Sequence, residues 1–294
     1  MTVLSVPMAD AAPATVTRRT RVLRRLRRNP LAMISFVVLA LVAVVALLSP
    51  WIAPYSVEQT DFAHTFSPPG TPGHLLGTDD LGRDVLSRIM LGARASLQVG
   101  LLAVATSLII GVPLGLAAGY FRAWDAVISR FTDLLLAFPF LIMAVGLAAI
   151  RGASLGNAAV AIGIAQIPGV IRVVRSDTLR LKSLDFVAAA VVDGAGDLWV
   201  LARHILPNAT SVILVQATVA IPAAILGEAV LSFLGLGIQP PAPSLGTMLA
   251  TAQQFAARAP WAAVLPGVVI MGLALAFNVF GDALRDALDP KGDR

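Results

Sequence analysis

The chain has 294 residues, of which 57% are hydrophobic and 13% are charged, and its mean hydropathy is +0.82. Soluble domains carry about 25% charged residues, so this composition excludes an ordinary soluble domain and indicates an integral membrane protein. The formal net charge is +5, and the absence of cysteine excludes disulfides, thiolate metal sites and thiol catalysis.

Residues 1–30 form an N-terminal tail that is rich in arginine directly before the first apolar run. Arginines beside a membrane span set its topology and attract anionic headgroups, so we expect the tail to contact membrane lipid. No nucleic-acid partner is expected, because neither an aromatic RNA-binding motif nor a folded basic domain accompanies the arginines.

The first membrane-spanning helix is predicted over residues 31–49, from Leu31 to Ser49, which carry no charge. At about 1.5 Å per residue this run approaches the roughly 30 Å thickness of the hydrocarbon core. It is longer than the hydrophobic region of a cleaved signal peptide, which has about 7 to 15 residues, so we expect an uncleaved anchor.

The segment between the first two spans, residues 50–95, is expected on the extracytoplasmic side and is too long for a simple connection. A stretch rich in proline and glycine, 67–73, divides it into an extended part and a helical part. Thr78 or Asp79 is predicted to cap that helix. Its apolar face would consist of Val85, Leu86, Ile89 and Met90.

Five further spans are predicted, and six crossings place both termini on one side of the membrane. Lys and Arg are concentrated in the N-terminal tail, the inner turns and residues 285–294, so both termini are expected in the cytoplasm. Residues 96–284 would form a five-helix core. The further spans are Ser96 to Tyr120, Ala126 to Ile150, Leu155 to Val174, Ala209 to Leu236 and Trp261 to Phe280.

Glycines and prolines within the spans predict where helices pack and bend. Gly111, Gly115 and Gly119 recur at a spacing of four, which predicts close approach to another helix. Four prolines interrupt the spans and are expected either to bend them or to be tolerated for structural reasons: Pro113, Pro139, Pro168 and Pro222.

The segment from Asp185 to Asn208 is a polar island within a cytoplasmic loop that we predict at about 176–208. Its apolar residues recur at helical spacing on both sides of Gly194-Ala195-Gly196, which predicts two short amphipathic helices. Glycine permits the positive φ angle that folds one helix against the other. The pattern is typical of a docking element for another protein.

Four polar residues fall inside the predicted spans. Polar groups in hydrocarbon are costly, so these residues are candidates for lining a translocation path. A structural pairing is the alternative for the single glutamate of the set, either with a basic group of a partner or in protonated form. The candidates are Gln166, Gln216, Glu228 and Asn278.

No catalytic signature accompanies these features. The chain lacks the phosphate-binding loop G-x-x-x-x-G-K-[S/T], so we expect neither an ATP site nor enzyme activity in it. The three histidines are isolated in sequence and lack ligand spacing, and no metal site is expected. Energy would come from a partner or, in the rival interpretation of a secondary transporter, from an ion gradient through Glu228.

Several blocks resemble the second permease subunit of the dipeptide/oligopeptide/nickel family of ATP-binding-cassette (ABC) importers. The longest match is HLLGTDDLGRDVLSR at 74–88, followed by GARASL at 92–97. EAVLSFLGLG at 228–237 and GDALRDALDP at 281–290 continue the pattern. The similarity extends over residues 30–290.

The docking element is similar to the EAA loop of these permeases, which seats a cytoplasmic ATPase. The resemblance implies the all-helical fold of a type I ABC importer permease, a multi-pass protein of the bacterial cytoplasmic (inner) membrane. It also implies coupling to the ATPase through Asp185, Phe186, Val187, Ala188, Ala189, Ala190, Gly194, Ala195, Asp197, His204, Leu206 and Pro207.

The same resemblance implies a set of partners. These are a homologous second permease, two ATPase subunits or domains, and an extracytoplasmic substrate-binding protein. ATP and Mg²⁺ would be bound by the ATPases, and no cofactor is expected in this chain. Di- or oligopeptides are the expected cargo, with nickel or glutathione in the same role as alternatives.

The docking element departs from the family pattern at Ala188, where an acidic residue is usual. Without that carboxylate, the usual ion pair with the ATPase is missing. Two replacements are open: Asp185 or Asp193 supplies the charge, or apolar contact through Phe186 and Val187 takes its place.

Overall fold

The computed structural model describes residues 18–288, with side chains from residue 22 onward. Of the predicted tails, residues 1–17 and 289–294 lie outside the described residues. Between these limits the chain forms helices and isolated β-bridges. The helices are α1 (Arg18–Arg28), α2 (Pro30–Ile52), α3 (Val85–Tyr120), α4 (Arg122–Ala137), α5 (Phe140–Arg151), α6 (Leu155–Lys182), α7 (Asp185–Val192), α8 (Asp197–Val200), α9 (Leu206–Phe233), α10 (Leu245–Gln253) and α11 (Pro260–Leu288).

Helix α2 is the first crossing. Asn29 caps it, because its side-chain Oδ1 accepts hydrogen bonds from the N–H groups of Leu31 and Ala32 at 3.0 and 3.2 Å. Pro30 occupies the first turn, where its missing N–H costs no intrahelical bond. The observed helix contains the whole of the span predicted over residues 31–49.

The bundle has two ends. We call the end that carries α7 and α8 the loop face, and the end that carries residues 53–84 the far face. Helix α1 packs against α11, so the described chain begins and ends at the loop face. This arrangement agrees with an even number of crossings.

The most extensive helix contact joins α3 to α6. Three glycines of α3 face α6 so closely that an added Cβ atom would lie 2.5 to 2.7 Å from an α6 side chain. The close approach predicted from their spacing is therefore confirmed. Helix α9 packs on both helices, so α3, α6 and α9 form the centre of the bundle. The facing pairs are Gly111 with Val170, Gly115 with Val174 and Gly119 with Thr178.

The third predicted span is broken, because α4 and α5 meet at 82° around Phe138 and Pro139. Proline lacks an N–H and disfavours helical dihedrals in the residue before it, and Phe138 has φ −92° and ψ 121°. Helix α4 begins at the loop face, where Asp125 bonds to Arg175, and α5 ends where α6 begins at the far face. The pair therefore makes one crossing, beside five unbroken apolar helices.

The helix predicted at the end of the outer segment is continuous with the second span. Helix α3 begins at Val85, where the carboxylate of Asp84 accepts from the N–H of Ser87 at 2.8 Å. Asp84 is the cap instead of Thr78 or Asp79. The carboxylate of Asp79 accepts from the N–H groups of Leu81 and Arg83 in a turn that precedes the helix. Residues 85–95 contain no proline and join the second span without a break.

Candidate functional site

The predicted docking element forms two short helices on the loop face. From here on we call residues 185–207 of it the docking segment. Helix α7 follows α6 after a short turn, and α8 continues through a π-helical turn, Leu201–Ile205, directly into α9. Between α7 and α8, Gly194 has φ +84°, which glycine adopts without strain. The docking segment is thus joined by the chain itself to α6 and α9.

One side of the docking segment is buried against the bundle. Val187 is 2% exposed and Val200 is fully buried, and both pack in the cluster that contains Tyr120 at the end of α3. This burial fixes the segment and removes Val187 from contact with a partner. Of the two residues predicted to offer apolar contact, Phe186 is exposed and Val187 is not.

The other side of the docking segment is apolar and aromatic, yet exposed. Val192 is 86% exposed and Leu198 is 78% exposed. Large exposed apolar side chains of this kind are typical of surfaces that contact another protein or a membrane. We call this surface the apolar patch, and it consists of Phe186, Val191, Val192, Leu198 and Trp199.

The carboxylates of the docking segment differ in whether they already form a hydrogen bond within the chain. Ala188, the position of the missing acidic residue, is exposed on α7. Asp185 and Asp193, at the two ends of α7, are also exposed. Asp197 is held by a hydrogen bond from Tyr120. Asp185 and Asp193 are therefore the two carboxylates that remain available for the charge replacement predicted above.

A set of side-chain contacts ties the docking segment to α3. Tyr120, the last residue of α3, donates its hydroxyl to Oδ1 of Asp197 at 2.9 Å. Lys182, the last residue of α6, donates its Nζ to the carbonyl of Tyr120 at 2.6 Å and lies 4.7 Å from the ring centre. A cation at a helix C-terminus also interacts favourably with the helix dipole. We call these three residues the Tyr120 junction.

His204 lies within the π-helical turn, beneath the aromatic part of the apolar patch. Its ring centroid is 4.8 Å from that of Trp199 and 6.3 Å from that of Phe186. The Nε2 atom is buried and has no hydrogen-bond partner within the described part of the chain. Turns of π-helix recur at functional positions, and here the turn places His204 where it supports both exposed rings.

Two of the four polar path candidates lie along the contact between α6 and α9. Gln166 donates Nε2 to the carbonyl of Ala220 at 3.1 Å, while its Oε1 is buried without a partner in residues 22–288. Gln216 lines a cavity of about 500 Å³ at the loop-face ends of α6, α9 and α11. Asn278 is exposed on α11, apart from that cavity's lining.

The fourth candidate, Glu228, is fully buried toward the far face. The hydroxyl of Ser96 on α3 donates to its Oε2, and the hydroxyl of Ser232 on α9 donates to its Oε1, each at 2.6 Å. Both carboxylate oxygens are thus satisfied by neutral donors. These contacts indicate a structural role for Glu228, which fastens α3 to α9 through serine hydroxyls of this chain and not through the basic group of a partner that was predicted.

The two outer histidines are paired with aspartates. Nδ1 of His64 lies 2.7 Å from Oδ2 of Asp61, and Nδ1 of His74 lies 3.1 Å from Oδ1 of Asp84. The hydrogen bond with His64 holds the pKa of Asp61 below its ordinary value. The fold brings the two rings within 6.2 Å of each other, so they are not isolated as their sequence spacing suggests.

Tyr120, Lys182 and Asp177 were not among the predicted site residues. Each lies near the end of a long span, where polar side chains ordinarily face the membrane surface. The available signal was Tyr120 itself, which follows the glycine face of α3 and combines an apolar ring with a polar tip. Its partner Asp197 is 77 residues away in the chain, so spacing alone does not reveal the bond.

The bundle and its exposed docking segment have the fold of an ABC importer permease. A similar solved structure is the MetNI methionine ABC transporter in an inward-facing conformation, with a TM-score of 0.55 and 18% identity. The match covers 68% of this chain and 97% of that chain. At this identity the comparison establishes the fold.

The family described as "binding-protein-dependent transport system inner membrane component" matches residues 111–293, and the N-terminal TM domain of oligopeptide transport permease C matches residues 17–69. The chain belongs to this family of permease subunits, which are multi-pass proteins of the bacterial inner membrane.

Similar proteins include permeases that are named for three different cargoes. The dipeptide transport system permease of Alkalihalophilus pseudofirmus is 44% identical over 91% of this chain and 88% of that protein. The di/tripeptide permease of Pseudomonas aeruginosa is 45% identical over 85% of each. The glutathione permease of Escherichia coli is 44% identical over 91% of this chain and 89% of that protein.

Proposed function

We propose that this chain forms, with a homologous second permease, the path by which di- or oligopeptides cross the bacterial inner membrane. Two partner ATPase subunits or domains bind ATP and Mg²⁺ and supply the energy, while this chain contributes no nucleotide site and no cofactor. The observation that carries the proposal is the docking segment, which has an exposed apolar patch on one side and a buried attachment to the central helices on the other.

The position of the docking segment supports a transmission role. It is continuous with α6 and α9 and is bonded to α3 through the Tyr120 junction. When the ATPases close on ATP, their displacement of this segment moves all three central helices together. Packed helices move between discrete arrangements, so such a shift opens the path at one face and closes it at the other. In this proposal the loop face is cytoplasmic.

The partner surface is proposed to be apolar. Leu198 and Val192 project from the docking segment, whereas Ala188 offers no charge at the position where the family usually has one. An ATPase cleft that takes these side chains gains from their removal from water, at about 25 cal/mol per Å² of apolar surface. Apolar contact through Phe186 and its neighbours is therefore favoured over a replacement ion pair.

The names of similar proteins support peptide as the cargo. Two of them are named as dipeptide or di/tripeptide permeases, and a third as a glutathione permease. These cargoes share amino, carboxylate and amide groups, which defines the chemistry that the path accepts. An extracytoplasmic binding protein would deliver the peptide to the far face, in keeping with the family's description.

The proposal is tested by gentle extraction of the tagged chain from its native membrane and mass spectrometry of what co-purifies. Recovery of a second permease and ATPase subunits is the expected result. The recovered complex, reconstituted in vesicles with the binding protein, is expected to take up a dipeptide only when ATP is supplied. Uptake by this chain alone, driven by an ion gradient without ATP, would establish the secondary transporter instead.

A further inference from the structure

The cavity between α6, α9 and α11 at the loop face has the size and lining of a small-ligand site. Its volume of about 500 Å³ lies within the range of roughly 300–1,000 Å³ that is usual for such sites. Its polar lining includes Arg180, Asn208 and Arg285, which lie toward the loop-face ends of their helices. The lining residues farther along α6 and α9, such as Val173 and Val219, are apolar.

Asp177 of α6 places an unsatisfied carboxylate oxygen at this cavity. Its side chain is 6% exposed, and its Oδ1 accepts from Nε and Nη2 of Arg180 at 2.9 and 2.6 Å. Its Oδ2 is buried and has no hydrogen-bond partner among residues 22–288. Because buried polar atoms are nearly always hydrogen-bonded, this oxygen calls for a donor from outside the described chain.

We propose that this cavity binds the zwitterion of a short peptide before its release, with the α-ammonium group on Asp177 and the carboxylate toward Arg285. An ammonium group offers three N–H donors and has no acceptor, which suits a carboxylate oxygen. Arg285 forms no ion pair with another residue of the described chain and lines the same cavity. The inference rests on the proposed peptide import and names the site at the end of the path.

Two amide side chains in the same lining can bind the peptide group of the ligand. Asn208 donates its Nδ2 to the carbonyl of His204 at 2.7 Å, which leaves its Oδ1 to accept from a peptide N–H. Gln216 lines the same cavity with a second amide. The valine walls lack polar groups, so the site recognises peptide termini and accepts different cargo side chains.

Gln166 provides a second buried acceptor on α6, farther from the loop face than Asp177. It lies 11 residues before Asp177 on α6, which is close to three helical turns, so the two residues share a face. The Oε1 of Gln166 is the other buried side-chain acceptor of α6 without a partner in the described residues. A peptide that moves along the contact between α6 and α9 therefore meets one acceptor before the other.

A basic side chain of the second permease is the other cation that Asp177 could take. Two features favour the zwitterion. The cavity is large enough for a small molecule. Arg285 also offers a positive charge that can pair with the carboxylate of a zwitterion, whereas the side chain of a lysine or arginine has no negative group to pair with it. A cavity filled by a partner side chain would bind no added peptide, so the same experiment separates the two.

The test measures equilibrium binding to the complete transporter, prepared without the binding protein and without nucleotide. The probes are radiolabelled alanyl-alanine, N-acetyl-alanyl-alanine and alanyl-alanine amide. We expect the complex to bind alanyl-alanine at least tenfold more tightly than the acetylated probe, because acetylation removes the ammonium group. Asp177→Asn is expected to lower the affinity for alanyl-alanine at least tenfold and to leave the acetylated probe unchanged.

Arg285→Gln provides an independent variant at the opposite end of the site. This change is expected to lower the affinity for alanyl-alanine and to leave the affinity for alanyl-alanine amide unchanged. Asp133→Asn is the matched control, because Asp133 lies on α4, is 68% exposed and is not among the residues that line the cavity. This control is expected to bind all three probes as the unchanged complex does.

Equal affinity of the unchanged complex and Asp177→Asn for alanyl-alanine would overturn the site. So would an equal loss for free and acetylated probes, which would indicate general damage, and so would the absence of any added-peptide binding. If the complex shows one of these results but still takes up peptide with ATP, only the proposed binding site is contradicted. Failure of the chain to assemble with ATPases defeats the proposed function itself.

Discussion

The hydroxyl of Tyr120 donates to Oδ1 of Asp197 over 2.9 Å and joins the end of α3 to the start of α8. Helices α6 and α9 are linked to the docking segment by the chain itself. Helix α3 is linked to it by side chains only, with Tyr120 at the centre of the contact. Loss of this bond would weaken the attachment of one of the three central helices to the docking segment, while the apolar packing around Tyr120 and the bundle itself remain.

Tyr120→Phe is therefore expected to reduce the amount of peptide transported per ATP hydrolysed. The ring and its packing remain, and one hydrogen bond worth about 0.5–1.5 kcal/mol is lost, which corresponds to about a two- to tenfold decrease. Uptake of labelled dipeptide and release of phosphate, both in reconstituted vesicles, give the ratio. Asp197→Asn combined with Tyr120→Phe is expected to add little, since both changes act on one bond.

Tyr55→Phe is the matched control, because it removes the hydroxyl of the chain's other tyrosine. That hydroxyl donates to the carbonyl of Gly73 at 2.8 Å on the far face, away from the docking segment. The ratio of transport to hydrolysis is expected to stay unchanged. An equal decrease in both tyrosine variants would contradict a specific role for the Tyr120 junction.

Leu198→Asp is expected to prevent the ATPases from co-purifying while the second permease is retained. Leu198 is 78% exposed in the isolated chain, so the change does not disturb its fold, yet it would bury an unpaired carboxylate in an apolar contact. Ala188→Asp introduces the same side chain at another exposed position of the docking segment and is expected to keep the ATPases. Similar losses from the two variants would count against an apolar partner surface.

Gly115→Val is expected to destabilise the contact between α3 and α6. An added Cβ atom would lie 2.7 Å from Cβ of Val174 and 3.0 Å from the carbonyl oxygen of Ile171. Overpacking of this kind costs about 1–3 kcal/mol, so the thermal unfolding midpoint in detergent should fall. Gly146→Val is the control, since no atom lies within 4 Å of its added Cβ on α5. Equal midpoints for the two variants would contradict the packing described.

Glu228→Gln separates the importer from the gradient-driven rival. In the amide, one of the two serines can still donate to the oxygen and the hydroxyl of the other can accept from the NH2 group, so ATP-driven uptake is expected to stay within about twofold of the unchanged protein. A proton-linked carboxylate would instead be lost with this change. Uptake is measured once with ATP and once with an imposed proton gradient and no ATP. Abolished uptake by an intact complex would point to transport chemistry at Glu228.

The prolines show that a local sequence signal predicts a possible helix break but does not decide whether the helix breaks. Four prolines interrupt the predicted spans, but the helix breaks only at Pro139, whereas Pro113, Pro168 and Pro222 lie within continuous helices. Neighbouring helices keep those three in line, because α3, α6 and α9 pack on one another along their lengths. The dipeptide before Pro139 lies in a part of the chain that lacks such support on all sides, and its residues are exposed.

The sequence alone determined the membrane class, the crossings, the glycine face of α3 and the position of the docking segment. These features depend on apolar length and on helical spacing, which are local properties of the chain. Only the tertiary structure decided that Val187 is buried, that Tyr120 meets Asp197, that serines satisfy Glu228, and that Asp177 lines a cavity. Each of these depends on side chains from distant parts of the chain meeting within a few ångströms, and helical spacing specifies only the face that a residue occupies.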